Sequence, residues 1–256
     1  MRFEPAPAHN DQHPVTTADP LDGDPRLAEL FGPSWPTIEG FHRILVDQGV
    51  LRGLVGPREV SRLWERHLIN SAAVVPFLPH EGRIIDVGSG AGLPGVVIAA
   101  MRPHAEVVLL EPMERRTDWL SEVVSTLGLT NTTVVRGRAE DQVGELRADA
   151  VTARAVAALD KLYGWTLPLL SVGGRLVALK GGRAQDEAAA AIDIGERYGG
   201  GPARIEVAPT IPGLESTSVV LVEKISEGAP IAATRVSRGT ESRSRRSRRS
   251  TKGHRP

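Results

Sequence analysis

The residues with the clearest chemical potential lie in the segment IIDVGSGAGLPG at 84–95. Asp86 stands at the end of a short apolar run, and four glycines follow it. Glycines such as Gly88 and Gly90 permit a tight turn against a ligand, and the apolar residues 96–101 predict a helix behind the turn. A strand, a glycine loop and a helix in this order form the place where α/β proteins bind nucleotide-like ligands.

The glycine loop is compatible with two cofactors. Residues 90–95 match the dinucleotide pattern G-x-G-x-x-G, which would indicate an NAD-dependent oxidoreductase. A pyrophosphate would, however, bring negative charge close to Asp86. S-adenosylmethionine carries ammonium and sulfonium cations and has no phosphate, so a nearby carboxylate favours it. The loop therefore favours S-adenosylmethionine, and the NAD-dependent enzyme of the same fold remains the alternative.

Further candidate residues follow the ends of other predicted strands. Glu111 can accept hydrogen bonds from both ribose hydroxyls of either cofactor. Ala139 and Glu140 lie in the loop where an adenine would stack, and Arg154 and Lys180 end the next two strands. Two cations at neighbouring strand ends suit a phosphate or an electron-rich base edge. Because the carboxyl ends of parallel strands meet at one edge of a sheet, we expect all five residues to converge there.

The alternation of elements predicts an α/β fold with a doubly wound, mostly parallel sheet over residues 81–225. Residues 26–80 show helical spacing and predict a small N-terminal helical cap. Residues 1–25 and the Arg/Ser-rich residues 226–256 are predicted to be disordered tails. The predicted strands are 84–87, 106–111, 132–137, 148–154, 174–181, 203–209 and 217–224, and the predicted helices of the sheet domain include 113–127, 156–170 and 184–198.

Composition excludes several classes of protein. The chain of 256 residues has no cysteine, so it has neither disulfides nor a thiolate metal site. No apolar run approaches the roughly 20 residues that span a bilayer, the start lacks the apolar middle of a signal peptide, and no cluster has metal-ligand spacing. We expect a cytoplasmic protein without metal. Residues 235–256 hold nine Arg or Lys against one Glu, a charge pattern that favours RNA phosphates.

Taken together, these segments resemble a known family. The matching stretches are RHLINS (66–71), IIDVGSGAGLPGVVIA (84–99), LLEPMERRTDWL (109–120), VVRGRAED (134–141), VTARAVAAL (151–159) and GGRLVALKG (173–181). In this order and spacing, from about Phe41 to Lys224, the chain resembles the bacterial 16S ribosomal RNA guanine-N7 methyltransferases, also called glucose-inhibited division protein B.

The resemblance implies a Rossmann-like S-adenosylmethionine-dependent methyltransferase that acts on a guanine N7 in a small-subunit rRNA loop near the decoding centre. Separately, we expect the chain to be a monomer. Its partner would be 16S ribosomal RNA or the small ribosomal subunit. The cofactor contacts that the resemblance implies are Gly88, Leu93, Ala139, Glu140 and Arg154. Lys180 is expected to serve RNA binding or catalysis.

Guanine N7 carries a lone pair and no proton, so its methylation needs no general base. We expect Arg154 to orient the substrate or the cofactor carboxylate, and Lys180 to meet guanine O6 or a phosphate. A non-catalytic rRNA-binding or ribosome-assembly protein is a third alternative.

Two positions depart from the family pattern. Asn70 stands where many members have Asp, and Leu93 replaces a frequent Phe. His67, Asn70 and Ser71 share one face of a predicted cap helix. We expect this helix to hydrogen-bond to the glycine loop, and direct contact with RNA is the alternative.

Overall fold

The structure, a computed structural model, describes residues 18–229. Of the predicted tails at 1–25 and 226–256, residues 1–17 and 230–256 lie outside the described residues. Residues 226–229 are held on the domain instead, since Glu227 pairs with Arg147 at 3.0 Å and the backbone N–H of Ala229 donates to the Arg197 carbonyl at 2.7 Å. The cap consists of short helical segments around a shared apolar core. These are α1 (Pro25–Phe31), α2 (Trp35–Gln48) and α3 (Asn70–Ala72), with 3-10 turns at Gly32–Ser34, Pro57–Arg62 and Val75–Phe77 and a π-helical stretch at Trp64–Ile69.

The cap begins earlier in the chain than the sequence predicted, because residues 18–25 are folded onto it. Leu21 is buried in the core of the cap. Asp19 accepts a hydrogen bond from the backbone N–H of Trp64 at 2.9 Å, and Asp22 accepts one from the Trp64 indole N–H at 2.9 Å. One apolar side chain and two carboxylates therefore fix a segment whose composition is typical of a disordered tail.

A seven-stranded sheet follows the cap, in the order β3-β2-β1-β4-β5-β7-β6. The strands are β1 (Gly82–Val87), β2 (Ala105–Glu111), β3 (Thr132–Arg136), β4 (Ala148–Arg154), β5 (Leu170–Lys180), β6 (Arg204–Ala208) and β7 (Thr217–Glu223). The first five strands pair in parallel, and β7 is antiparallel to both β5 and β6. This order confirms the predicted doubly wound, mostly parallel sheet, in which β6 and β7 add an antiparallel edge.

The helices of this domain differ in length from the predictions. They are α4 (Gly95–Met101), α5 (Glu114–Thr126), α6 (Leu159–Thr166), α7 (Ala184–Ala190) and α8 (Ile192–Arg197). The predicted helix 156–170 begins only at Leu159, because residues 155–158 form a loop whose Ala155 has a φ of 56°. The predicted helix 184–198 is two helices, divided at Ala191 with φ −104° and ψ 7°.

The junction of β1 and α4 positions the glycine loop. The backbone N–H of Gly95 donates to Asp86 Oδ2 at 2.9 Å. A Cβ atom at Gly95 would lie 2.6 Å from that oxygen and would also overlap the side chain of Leu109. Only glycine lets the start of the helix approach the strand this closely.

The space around each glycine predicts opposite effects on stability for two glycine-to-alanine substitutions, one at this junction and one in α6. Gly95→Ala should lower the free energy of unfolding by about 1–3 kcal/mol, because the methyl group overpacks a buried contact. Gly164→Ala, inside α6, meets no atom closer than 3.4 Å and should raise the free energy of unfolding by roughly 0.5–1 kcal/mol. Urea unfolding of both variants measures this, and equal stability of the two would contradict the packing argument.

Candidate active site

A cleft runs along the carboxyl edge of the sheet as two adjoining cavities of about 140 and 200 Å³, which share Gly88 and Val156. The smaller cavity is mainly apolar and is lined by Val87, Gly88, Leu110, Pro112, Gly137, Arg138, Ala139, Glu140, Val156 and Trp165. The larger contains more polar groups, among them Ser89, Arg116 and Arg154. A ligand with a flat apolar end and a charged end fits this division.

Most of the residues predicted from the sequence line this cleft. They are Gly88, Gly90, Leu93, Ala139, Glu140 and Arg154. Asp86 and Glu111 lie beneath its surface, with exposed fractions of 0% and 1%. The structure thus brings six predicted cofactor residues to one surface and places two below it.

The Asp86 carboxyl group supports the glycine loop from below. Oδ2 accepts from Gly95, and Oδ1 has no hydrogen-bond partner among residues 18–229. Burial raises the pKa of this carboxyl group to about 7. Near neutral pH the group is therefore divided between its charged and neutral forms, and a cation in the cleft would favour the charged one.

The Glu111 carboxylate also holds the loop. Oε2 accepts from the backbone N–H of Gly90 at 3.0 Å, and Oε1 accepts from the backbone N–H of Met113 at 3.1 Å. The sequence predicted ribose hydroxyls as partners of this residue. Each carboxylate oxygen accepts a second hydrogen bond, so the ribose contact stays a prediction, while the loop contact is a role that the sequence did not reveal.

The Arg154 guanidinium connects the end of β4 to the cap. One terminal nitrogen donates to the backbone carbonyl of Arg66 at 3.0 Å and to Asn70 Oδ1 at 3.3 Å, and the other contacts His67 Nδ1 at 3.0 Å. Asn70 also donates to Thr217 Oγ1 at 3.0 Å. Within residues 18–229 the side chains of His67 and Asn70 therefore bond to Arg154, Glu59 and Thr217, and the expectation that this helix bonds to the glycine loop was wrong. A partly buried guanidinium needs acceptors, and the cap provides them.

These contacts fix the proton on the His67 ring. Because Arg154 has only donors, Nδ1 must accept, and the proton lies on Nε2, which is 3.1 Å from Glu59 Oε2. Desolvation lowers the pKa of His67, and the charge of Arg154 lowers it further. The imidazole is therefore neutral at neutral pH, with both nitrogens engaged. Glu59 belongs to no sequence motif, so its role was not predictable from the sequence.

Lys180 also has partners that the sequence did not predict. Its ammonium donates to Glu187 Oε2 at 2.8 Å and to the backbone carbonyl of Ala157, and its side chain is only 10% exposed. Glu187 Oε2 additionally accepts from the backbone N–H of Leu159 at 3.2 Å. The pair therefore ties loop 155–158 to α7. Lys180 lies at the expected strand end, but as half of an ion pair.

A third cavity, of about 620 Å³, adjoins the cleft. Arg154, Ala155 and Val156 line both spaces. The third cavity is completed by His67, Asn70, Ala157, Ala158, Leu179, Lys180, Gly181, Arg183 and Glu187. Ala155 holds a left-handed backbone conformation, which is strained for a residue with a side chain. His67 also lines both spaces, so a narrow wall formed by His67 and residues 154–156 separates two ligand-sized spaces.

Two further properties concern only the described part of the chain. No group of three or more His, Asp or Glu side chains there could hold a metal ion. No helix between residues 18 and 229 is both long and apolar enough to cross a membrane.

The raised pKa of Asp86 predicts how stability depends on pH. The carboxyl group binds its proton more tightly in the folded chain, so its contribution to stability is complete below the unfolded pKa near 4 and is lost as pH rises toward 7. Between about pH 5 and about pH 7.5 the wild type should lose roughly 2–3 kcal/mol that Asp86→Asn does not lose. Urea unfolding at several pH values measures the difference, and parallel curves would refute the assignment.

Comparisons with known proteins agree with this geometry. The chain matches the family model described as GidB, rRNA small subunit methyltransferase G, over residues 35–194. A protein named ribosomal RNA small subunit methyltransferase G from Bifidobacterium longum (strain DJO10A) is 44% identical over 218 residues, which cover 80% of this chain and 99% of that relative. Its namesake from Thermobifida fusca (strain YX) is 58% identical over 159 residues, covering 62% and 67% of the two chains.

A solved structure shows the same fold. An SAM-dependent O-methyltransferase from Thermotoga maritima superposes with a TM-score of 0.50 at 14% identity, over 66% of this chain and 71% of that one. These findings confirm the predicted fold class and the family resemblance. The chain belongs to the GidB family, rRNA small subunit methyltransferase G.

Proposed function

We propose that this chain transfers a methyl group to N7 of a guanine in 16S ribosomal RNA, and that it acts as a monomer in the cytoplasm. By family the chain is a small-subunit rRNA methyltransferase, with S-adenosylmethionine as methyl donor. The observation that carries the choice of N7 is the state of His67. Among residues 18–229, His67 is the histidine that lines both the cleft and the third cavity, and both of its nitrogens are engaged.

This arrangement favours an acceptor atom that needs no deprotonation. N7 has a free lone pair in the plane of the base, so the protein's task is to align it with the methyl group. Alignment of this kind contributes up to about 7–11 kcal/mol to a reaction barrier. S-adenosylmethionine supplies the activated methyl group when bound.

The cleft fits that cofactor. We place its adenine in the apolar cavity against Ala139, with Glu140 at the base edge and Gly88 allowing a close backbone approach. We place its amino-acid end in the polar cavity beside Leu93 and Arg154. Asp86 would act on the cationic end through the loop that it supports, since it has no exposed surface.

Arg154 is proposed to orient the ligands from the wall between the two spaces. An arginine has five N–H donors, and the cap occupies three of them. The remaining donors can serve the cofactor carboxylate or the substrate. Arg116, Arg138 and Arg183 line the openings of the cavities, and RNA phosphates favour such cations.

Mass mapping of ribosomal RNA tests this function. In a strain lacking its own enzyme, the wild-type chain should restore one N7-methylguanine in 16S rRNA. Arg154→Ala should lower the rate about 100-fold because the ligands lose their alignment. Arg204→Ala, on the edge strand β6, is the matched control and should retain full activity.

Three results would contradict the proposal. Methylation that survives both Arg154→Ala and Lys180→Ala would remove these residues from the mechanism. Binding of NAD instead of S-adenosylmethionine in calorimetry would favour an oxidoreductase. Unmodified rRNA despite tight rRNA binding would indicate a non-catalytic assembly protein.

His67 should make the reaction sensitive to acid. The groups that face its ring are Glu59, Arg66 and Arg154. Its pKa lies below the ordinary 6.5, so kcat/KM should fall as pH drops through that lower value, when Nδ1 becomes protonated and ceases to accept from Arg154.

Two substitutions of His67 distinguish the effect of losing the acceptor at the Nδ1 position from the effect of protonating the ring. His67→Asn keeps an acceptor near the Nδ1 position and cannot be protonated, so it should abolish the acidic limb of the pH profile. His67→Leu should be weakly active at every pH. If His67→Asn retained the limb at the same pH, the acid sensitivity would belong to another group.

A further inference from the structure

The ion pair of Lys180 and Glu187 lies on the wall of the third cavity, across from the cleft. Both residues face a space bounded by the apolar Val156 and Leu179. Apolar walls of this kind suit the faces of a nucleobase. The pair is therefore placed to meet the edge of a base inserted into the cavity.

Each member of the pair has hydrogen-bonding capacity left over. The Lys180 ammonium has three N–H donors and uses two of them, on Glu187 and on the carbonyl of Ala157. Glu187 receives Lys180 and the Leu159 N–H on Oε2, and Oε1 has no partner within residues 18–229. The pair thus offers one donor and one acceptor side by side, both held by the backbone.

This order of groups matches one purine and mismatches the other. Guanine has an acceptor, O6, beside a donor, N1–H, whereas adenine has a donor, N6–H₂, beside an acceptor, N1. In the orientation that turns N7 toward Arg154, a fixed donor and acceptor next to each other complement guanine and leave adenine with like groups facing like. Adenine could satisfy both groups only when turned over, which directs its N7 away from Arg154. A site built to hydrogen-bond a ligand rejects the analogue with the wrong groups strongly, since its own polar groups are then left unpaired.

We propose that Lys180 and Glu187 together select guanine as the substrate base, Lys180 through O6 and Glu187 through N1–H. This inference rests on the proposed function and adds a specificity residue, Glu187, to it. Because O6 is next to N7 on the guanine ring, a base held this way can turn N7 toward Arg154 and the cleft. The same orientation of the guanine then determines both its selection by Lys180 and Glu187 and the alignment of N7 with the methyl donor.

Base analogues at the methylated position test the inference. Small subunits are assembled from 16S rRNA carrying guanine, inosine or 2-aminopurine at that position. Inosine keeps O6 and N1–H, and the wild type should methylate it within about fivefold of guanine. 2-Aminopurine keeps N7 but lacks O6 and has an acceptor at N1, so kcat/KM should fall about 10- to 100-fold.

Glu187→Gln replaces the hydrogen-bond acceptor that faces N1 of the base with a donor. Since Lys180 and the Leu159 N–H are both donors, the amide must place its oxygen toward them and its NH₂ toward the cavity. The ratio of kcat/KM for guanine to that for 2-aminopurine should fall about 10-fold or more. The intrinsic reactivity of each base cancels when this ratio is compared with that of the wild type.

Asp186→Asn is the matched control, because Asp186 is an exposed acid beside Glu187 on α7. It should leave both the ratio and the rate unchanged. Thermal melting and S-adenosylmethionine affinity show whether each variant is folded. If Glu187→Gln does not fold, Lys180→Met provides the second test, and it should lower the rate for guanine and inosine while sparing 2-aminopurine.

The outcomes separate this inference from the proposed function. An unchanged ratio in folded Glu187→Gln, or in folded Lys180→Met where that variant replaces it, would show that the pair only anchors loop 155–158, and would overturn the inference. Failure of the wild type to methylate guanine in any form of the subunit would overturn the proposed function itself.

Discussion

The site depends on one buried-charge constraint, which is that the guanidinium of Arg154 must find acceptors where β4 ends. A cation removed from water without partners is strongly unfavourable. The cap supplies a backbone carbonyl, the Asn70 amide oxygen and the His67 ring nitrogen. These contacts attach the cap to the sheet domain at the point where the cleft and the third cavity meet. The cap is therefore a component of the site as well as a cover for the core.

The same constraint extends to groups further from the cleft. His67 can accept from Arg154 only while its proton lies on Nε2, and Glu59 fixes the proton there. Lys180 and Glu187 act in the same way on the other side, since their hydrogen bonds hold the Ala157 carbonyl and the Leu159 N–H at the C-terminal end of loop 155–158. Two chains of polar contacts thus hold one short wall from both sides.

The sequence predicted the sheet, the cap and the positions of the strand-end residues, because apolar periodicity and glycine spacing are local properties. It did not predict the partners of those residues. Asp86 and Glu111 were expected to face a ligand, and the structure shows both supporting the loop backbone. Glu187 was only part of a predicted helix, since nothing in its neighbours indicates that α7 brings it to Lys180. Pairing across distant segments is fixed by tertiary structure, which single-sequence patterns do not encode.

The shared wall has a consequence for how the two ligands influence each other. Arg154, Ala155 and Val156 contribute to both spaces, so a ligand that orders them in one space also shapes the other. If a ligand orders the wall, we expect binding of the two ligands to be mutually favourable, because the second ligand would meet a wall that the first has already fixed. Arg154 is the strongest link in this coupling, since its free donors can turn toward either space while the cap holds the rest of the guanidinium. A methyl donor and an acceptor base that meet across such a wall are aligned by the same residues that bind them.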